Sequence, residues 1–451
     1  MTNHLSGLSI QKRNITKQNK VSGRYNMIRK YHFNIFTVYC IAILHCILLI
    51  YKCGTQWDYD TASYVSAWDN ISSFHIDIWR TPVYPLFLGI TKVCFGVNFL
   101  MAGSIIQHIV FLISIWYFYK LIILVTDSER VALYTSAFYA LYPCVATWNC
   151  FILTEPLAIY SMIFTLYCAI MAYHKKTILY TFSLGFWIIF QIFLRPAQIY
   201  ILPVLFVGWV LLFVKEKKVS SVFIGGIFAI LIATSAMLVY MWEFKKAYGL
   251  YTPCGVSVVN KYYMARRDGN LLIQNIKDKE FRLYVEERDQ VFQTGKGTLI
   301  DLFTEAQDAV YRFGLKKVSD MLSIYTSTSF SSIIKPAFQR LHNASEDKLF
   351  TTFIKKWSIV TDIIGARINS IFLLLIIYPI AIVHLSIRKR CIPWFSSILF
   401  MLGASHLLII IVACQNIWGR LILPATPIYL LMFAQLCNIF KISINSDYNQ
   451  I

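Results

Sequence analysis

Apolar residues fall along this chain in long blocks, without the strict alternation of a half-buried strand. The blocks cover roughly 32–52, 101–124, 131–147, 155–173, 177–194, 197–214, 220–242, 366–387, 393–413 and 418–440, with a shorter one over 82–98. Several approach the ~20 residues a helix needs to cross a hydrocarbon core. The pattern predicts an all-α, polytopic membrane protein whose helices bury against lipid and against one another.

Composition agrees with that class. Hydrophobic residues make up 57% of the chain, charged residues only 14%, and the mean hydropathy is +0.57, whereas soluble proteins carry about 25% charged residues. The formal net charge of +19 invites a nucleic-acid reading, but its placement argues against one. Residues 1–31 hold Lys12, Arg13, Lys17, Lys20, Arg24, Arg29 and Lys30 and no carboxylate. Further cations sit in short loops between the apolar blocks, which is the positive-inside pattern. The basic arm is placed to touch anionic lipid headgroups, and no nucleic-acid partner is expected. The first apolar block starts near His32 and is long enough to stay as a helix, so no cleaved signal peptide is expected.

The block 82–98 decides the topology. If it crossed, Lys175 and Lys176, the Lys215–Lys218 cluster and Arg388–Arg390 would face outward while the basic N-terminus faced inward. Laid along the surface as an interfacial helix, it leaves all of them on the cytoplasmic side. It is short, opens with Pro82 and Pro85 and carries Lys92, a snorkelling stem. About ten spans with both termini cytoplasmic follow. The expected organisation is an arm over 1–31, a bundle over 32–242 with a first external loop 53–100, an external segment 243–365, C-terminal spans over 366–440 and a tail 441–451. The external segment contains helix-like stretches such as 299–322, enough for a few helices capping a cavity. There is no internal repeat of the kind found in transporters built from inverted halves.

The eleven cysteines give no disulfide framework and no pair at metal-binding spacing. A Cys53–Cys254 bridge outside the membrane is open but not favoured. Other polar residues gather outside once the topology is set. Asp58 and Asp60 follow the first span, Arg80 precedes the interfacial helix, Glu155 opens the fourth span, Arg195 lies between the fifth and sixth, and Arg420 opens the tenth. Ionisable groups near membrane depth pair or perform a function, and arginines suit phosphate. Each also has a plain structural reading. Either aspartate caps the helix near Ala62, Glu155 answers a helix dipole, and each arginine snorkels. His108, His406 and Gln191 read as packed, hydrogen-bonded side chains within spans. The joint pattern, rather than any single residue, favours a lined cavity of mixed sign.

An Asp after the first span, a Tyr four residues on and an Arg-x-Pro-x-Tyr-Pro run opening an apolar helix are formed here by Asp60, Tyr64, Arg80, Pro82, Tyr84 and Pro85. That arrangement resembles the GT-C glycosyltransferases, and among them the branch of protein O-mannosyltransferases and lipid A aminoarabinose transferases. Thr154-Glu155-Pro156, Arg195-Pro196 and the segment from Arg420 to Pro427 resemble later elements of such proteins. The usual acidic pair is split here as Asp58-x-Asp60, which leaves two candidates for one role.

The resemblance implies transfer of a sugar from a polyprenyl phosphate donor to a lipid, glycan or protein acceptor on the outer face of the membrane; the richness in Ile, Lys, Tyr and Asn suits a bacterium, and hence an inner membrane. A lipid phosphate leaves as a stabilised anion and needs charge neutralisation, which arginines supply. The acceptor needs a base, and one carboxylate suffices, unlike the two of a glycosidase. Asp60, with Asp58 as the alternative, is the expected base of an inverting displacement. Tyr64, Tyr84, Arg80, Glu155, Arg195 and Arg420 are the expected substrate-binding residues. A divalent cation bridging acid and phosphate is compatible with this chemistry, but no ligand cluster in the sequence requires one. The competing readings are a polysaccharide polymerase or ligase acting on polyprenyl-linked sugar, and a lipid-linked sugar flippase or other transporter, which would string its charges along a central path.

Overall fold

The structure, a computed structural model, describes residues 32–217, 221–267, 271, 273–293, 299–322, 347–364, 376–390, 393–413 and 419–448. The N-terminal arm, the first half of the expected span 366–387 and part of the external segment therefore lie outside the described residues. Helices α1 (His32–Cys53), α2 (Tyr59–Ser72), α3 (Val83–Phe95), α4 (Phe99–Thr126), α5 (Glu129–Leu141), α6 (Glu155–Lys175), α7 (Ile178–Leu194), α8 (Ile201–Glu216) and α9 (Ser221–Tyr248) make the first part of the bundle. Helices α10 (Val256–Arg267), α11 (Lys279–Gln293), α12 (Leu299–Phe313) and α13 (Leu315–Met321) form the external segment. Then come α14 (Lys348–Ile364), α15 (Tyr378–Lys389), α16 (Trp394–Ala413) and α17 (Thr426–Tyr448).

Burial separates the inner helices from the outer ones. Every residue from Glu155 to Ala172 of α6 is buried, packed between α4 and α7 and touching α17. A helix that is apolar all round belongs at the centre of a bundle. By contrast, α1 presents Phe36, Leu44 and Ile47 outward, and α9 presents Phe228, Leu231, Val239 and Trp242. Apolar faces of that extent are not left to water in a soluble protein; here they are the lipid-facing surface. Among the described residues, five helical stretches are long and apolar enough to cross a membrane: Ile35–Cys53, Val83–Thr126, Glu155–Lys175, Pro196–Glu216 and Phe223–Tyr248. Ile178–Leu194, Trp394–Ile410 and Leu423–Ile439 are shorter apolar helices. The chain is an integral membrane protein of helical type.

Three expectations change in detail. The block 131–147 is not one helix: α5 stops at Leu141, Tyr142 is extended (φ −71°, ψ 108°), and a short turn Pro143–Ala146 follows. Pro143 has no N–H to continue the helix and restricts the residue before it. The stretch 299–322 is likewise two helices, because Gly314 takes φ +84° between α12 and α13. Cys53 lies near Cys150 rather than Cys254, the Gln56 N–H donating to Cys150 O at 2.7 Å, while Cys254 sits beside the Ile78–Trp79 turn, where the Gly255 N–H donates to Ile78 O at 2.7 Å.

The stretch 82–98 forms α3 and a single tight turn, Gly96–Asn98, and Gly96 at φ +54° separates it from α4. Thirteen residues rise only ~20 Å, short of the ~30 Å hydrocarbon core. Helix α3 packs on α2 and on α4, and the α2–α3 contact depends on Gly89, where an added Cβ would lie 2.2 Å from the Trp68 ring. Gly89→Ala is expected to force these helices apart and destabilise the protein by about 1–3 kcal/mol. A melting temperature in detergent unchanged from wild type would show that the contact is looser than the geometry indicates.

The external helices have a core of their own. Phe244 from the end of α9 joins Val258 and Tyr262 of α10, Phe281 and Tyr284 of α11, and Ala306 and Val310 of α12. Trp79, from the loop before α3, packs into the same cluster and donates its indole N–H to the Tyr311 hydroxyl at 2.7 Å. The external segment is thereby anchored to the loop that carries Arg80.

Candidate active site

The loop after α1 is fastened to the segment that leads into α6. The Gln56 N–H donates to Cys150 O at 2.7 Å and the Ile152 N–H to Gln56 O at 3.3 Å, giving a parallel bridge between Gln56 and Phe151. One turn on, the Thr61 hydroxyl donates to Ile152 O at 3.0 Å. Asp58 is the N-cap of α2, in extended backbone, and its N–H donates to the Thr61 hydroxyl at 3.0 Å, the reciprocal half of a capping box. Its side chain is buried, at 7% exposure. The cap reading made for both aspartates therefore applies to Asp58.

Asp60, in the first turn of α2, meets the loop before α3. Arg80 Nη2 donates to Asp60 Oδ1 at 2.8 Å, with 14% of the arginine side chain and 30% of the aspartate side chain exposed. The other guanidinium nitrogens are also used, Nε donating to the Ser63 hydroxyl at 2.7 Å and Nη1 to the Tyr64 hydroxyl at 3.1 Å. Arg80 Cζ lies 4.1 Å from the centre of the Tyr64 ring, a cation–π contact. Burial works against the charge of Arg80, while the charge of the Asp60 carboxylate and its hydrogen bond favour it. The backbone position of Arg80 is set by Asp77: Oδ1 accepts the N–H groups of Trp79 (2.8 Å) and Arg80 (2.7 Å), and Oδ2 accepts from Asn70 Nδ2 at 2.8 Å. This is an Asx turn closed onto the far end of α2.

Tyr64 links this pair to a second one. Its ring stands edge-on to Tyr84 at 4.8 Å, and the Tyr84 hydroxyl donates to Gln107 Oε1 at 3.0 Å. Gln107 Nε2 in turn donates to Asn149 O and Phe151 O at 3.0 and 2.9 Å. Beyond lies Glu155, 2% exposed, its Oε1 3.1 Å from Arg195 Nη1. Burial pushes the Tyr64 phenol up and keeps it neutral; Arg80, Asp60, Glu155 and Arg195 all lie close enough to act on it. Behind Arg195, the Tyr200 hydroxyl and His406 Nδ1 share a hydrogen bond at 2.9 Å, and His406 Nε2 reaches Leu421 O at 2.8 Å.

The structure thus brings Asp58, Asp60, Tyr64, Arg80, Tyr84, Glu155 and Arg195 to one end of the bundle. The lysines at 175–176 and 215–217 close the other ends of α6 and α8. Arg420 stands on the short helix Gly419–Ile422; its side chain lies outside the described residues. Gln191 corrects the sequence reading: it is buried, but neither polar atom of its side-chain amide has a hydrogen-bond partner among the described residues. Sequence reasoning passed over Asp77, Gln107, Asn149 and Gln198. Asp77, three residues before Arg80, carried an Asx-turn signal; the others are neutral residues whose partners are distant in sequence. Among the described residues, no three His, Cys, Asp or Glu side chains gather closely enough to hold a metal ion.

No family model matches the chain, and no curated protein matches it. Among solved structures it is similar to the oligosaccharyltransferase of Archaeoglobus fulgidus in its apo form, with a TM-score of 0.50 and 14% identity over 94% of this chain and 52% of that one. At that identity the two chains share a fold. Two other structures of that enzyme score lower. The complex with an inhibitory peptide and a dolichol-phosphate has a TM-score of 0.49 at 15% identity, covering 94% and 52% of the two chains. The complex with Zn and sulfate has 0.47 at 13%, covering 89% and 50%. The chain therefore spans about half the length of these proteins, and at such identity the likeness is one of fold.

Proposed function

We propose that this protein is a membrane glycosyltransferase that moves a sugar from a polyprenyl phosphate to a lipid, glycan or protein acceptor. Transfer would occur at the end of the bundle that carries Asp60 and Glu155, facing away from the cytoplasm in a bacterial inner membrane. The observation that carries this reading is the pair of acid–arginine contacts, Asp60–Arg80 and Glu155–Arg195, on either side of Tyr64. In the reaction, the acceptor oxygen attacks the anomeric carbon while the bond from that carbon to the phosphate oxygen breaks. The electron pair stays on the lipid phosphate, and the acceptor proton passes to Asp60. Arg80, Arg195 and Arg420 are assigned to the phosphate, where preorganised cations act on charge as it develops. Glu155 orients Arg195. Asp58 fits a capping role better than that of base, being buried at the start of α2. The Asp60–Tyr64 and Arg80–Pro85 motifs favour the branch of the O-mannosyltransferases and aminoarabinose transferases.

Purified protein in proteoliposomes, supplied with lipid-linked sugars, is expected to release free polyprenyl phosphate in step with glycosylated acceptor. Movement of intact donor between leaflets without its consumption would replace this reading with a flippase. Growth of a lipid-linked oligomer would replace it with a polymerase. Topology is tested separately: a reporter fused after residue 98 is expected on the outer side, and a cytoplasmic signal would overturn the interfacial placement of 82–98.

A further inference from the structure

The turn between α7 and α8 buries polar groups that have no partner among the described residues. Gln191, in the last turn of α7, is 0% exposed, and Gln198, in the tight turn Pro196–Tyr200, is 1% exposed. Among the described residues, the amide oxygen and the amide nitrogen of both side chains are without a hydrogen-bond partner. The two residues are successive steps around Arg195: its N–H donates to Gln191 O at 2.9 Å, and the Gln198 N–H donates to Arg195 O at 2.9 Å. Arg195 Nη1 approaches Glu155 at 3.1 Å but off the direction of a hydrogen bond. Buried amides in native proteins are almost always paired, and each exception calls for an explanation, such as an absent ligand or water.

The chemistry of the unmet groups narrows what could meet them. A fully ionised phosphate only accepts, so it would satisfy the two amide nitrogens and be repelled by the two amide oxygens. A sugar hydroxyl both donates and accepts, and hydroxyls on adjacent ring carbons match a neutral side chain that offers both functions. Arg195, at the same turn, supplies the positive charge a neighbouring phosphate requires.

We propose that Gln191 and Gln198 bind the hydroxyl groups of the donor sugar, forming a neutral subsite beside Arg195 that selects the sugar. This assignment rests on the glycosyltransferase reading above and adds its sugar-recognising element. The test compares full-length protein in detergent with undecaprenyl phosphate alone and with undecaprenyl phosphate bearing glucose, galactose or mannose, by thermal shift and titration. Wild type is expected to bind at least one sugar-bearing lipid more tightly than the bare lipid. Gln191→Leu and Gln198→Leu should each weaken that binding roughly tenfold, the effect of a lost hydrogen bond, while leaving the bare lipid within about twofold. Without lipid, both variants should melt no lower than wild type, because each removes an unsatisfied amide. As a check that needs no variant, wild type should lose the same increment with a deoxy form of the preferred sugar. If the increment survives in both variants and with every deoxy sugar, the subsite assignment is wrong and the glycosyltransferase reading stands. If wild type binds neither bare nor sugar-bearing lipid, the donor reading fails, and the subsite with it.

Discussion

Asp60→Asn is expected to lower sugar transfer about 10²–10⁴-fold, the contribution of a positioned general base, while the protein still inserts and folds. Asparagine keeps the size of the side chain and an oxygen that can accept from Arg80 Nη2, now 2.8 Å from Asp60 Oδ1. It cannot take a proton from the acceptor. The structural loss is small because the asparagine oxygen still accepts from Arg80 and 30% of the aspartate side chain is exposed to water. A stability effect and a catalytic effect are therefore well separated at this position. The measurement is single-turnover transfer with donor already bound, with melting temperature as the control. Near wild-type transfer by Asp60→Asn would move the role to Asp58 or remove the mechanism. Asp58→Asn should behave the other way round: with its side chain 7% exposed at the start of α2, its first effect should be on stability.

Position in the chain made part of this site legible. Asp60, Tyr64 and Arg80 lie within one loop, so their charges and their Pro and Tyr neighbours read as a unit before any fold was known. Glu155 and Arg195 were visible because charge beside long apolar blocks stands out, and the parity of the loop charges placed them on one side. The pairing of Glu155 with Arg195, rather than with Arg80, depends on how α6 lies against α7, and no local pattern encodes that. The neutral scaffold was less legible still. Gln107 holds the 149–151 segment and Tyr84 together, yet a single glutamine in an apolar block looks like a packed residue. Gln191 looked the same, yet its side-chain amide has no partner among the described residues. The nearness of Cys53 to Cys150 follows from the Gln56–Phe151 bridge, a backbone pairing across nearly a hundred residues that side-chain spacing does not reveal. Helix breaks were legible where the residue itself forces them, as at Pro143 and Gly314, although each was passed over because the surrounding pattern was apolar or helical.

Glu155→Leu is expected to destabilise the protein by about 3–5 kcal/mol, the loss typical when one partner of a buried ion pair is removed. Glu155 and Arg195 are well covered, with 3% and 13% of their side chains exposed. Removing the carboxylate leaves the guanidinium facing Tyr200 and His406, groups that cannot neutralise it. Arg195→Met alone should be damaging for the mirror reason, an uncompensated carboxylate at the start of α6. The double variant Glu155→Leu/Arg195→Met removes both charges and should recover most of the lost stability, since apolar residues of similar volume replace buried pairs with little penalty. Thermal or denaturant unfolding of the four proteins in the same detergent gives the coupling between the two sites directly. If the double variant is as unstable as the sum of the singles, the residues do not act as a pair. Activity separates the structural role from the chemical one. A double variant that melts close to wild type but transfers no sugar would place the Glu155–Arg195 pair in the reaction as well as in the fold, because its remaining deficit would be the two missing charges. A stable double variant with full activity would confine the Glu155–Arg195 pair to holding α6 against α7 and leave the phosphate to Arg80.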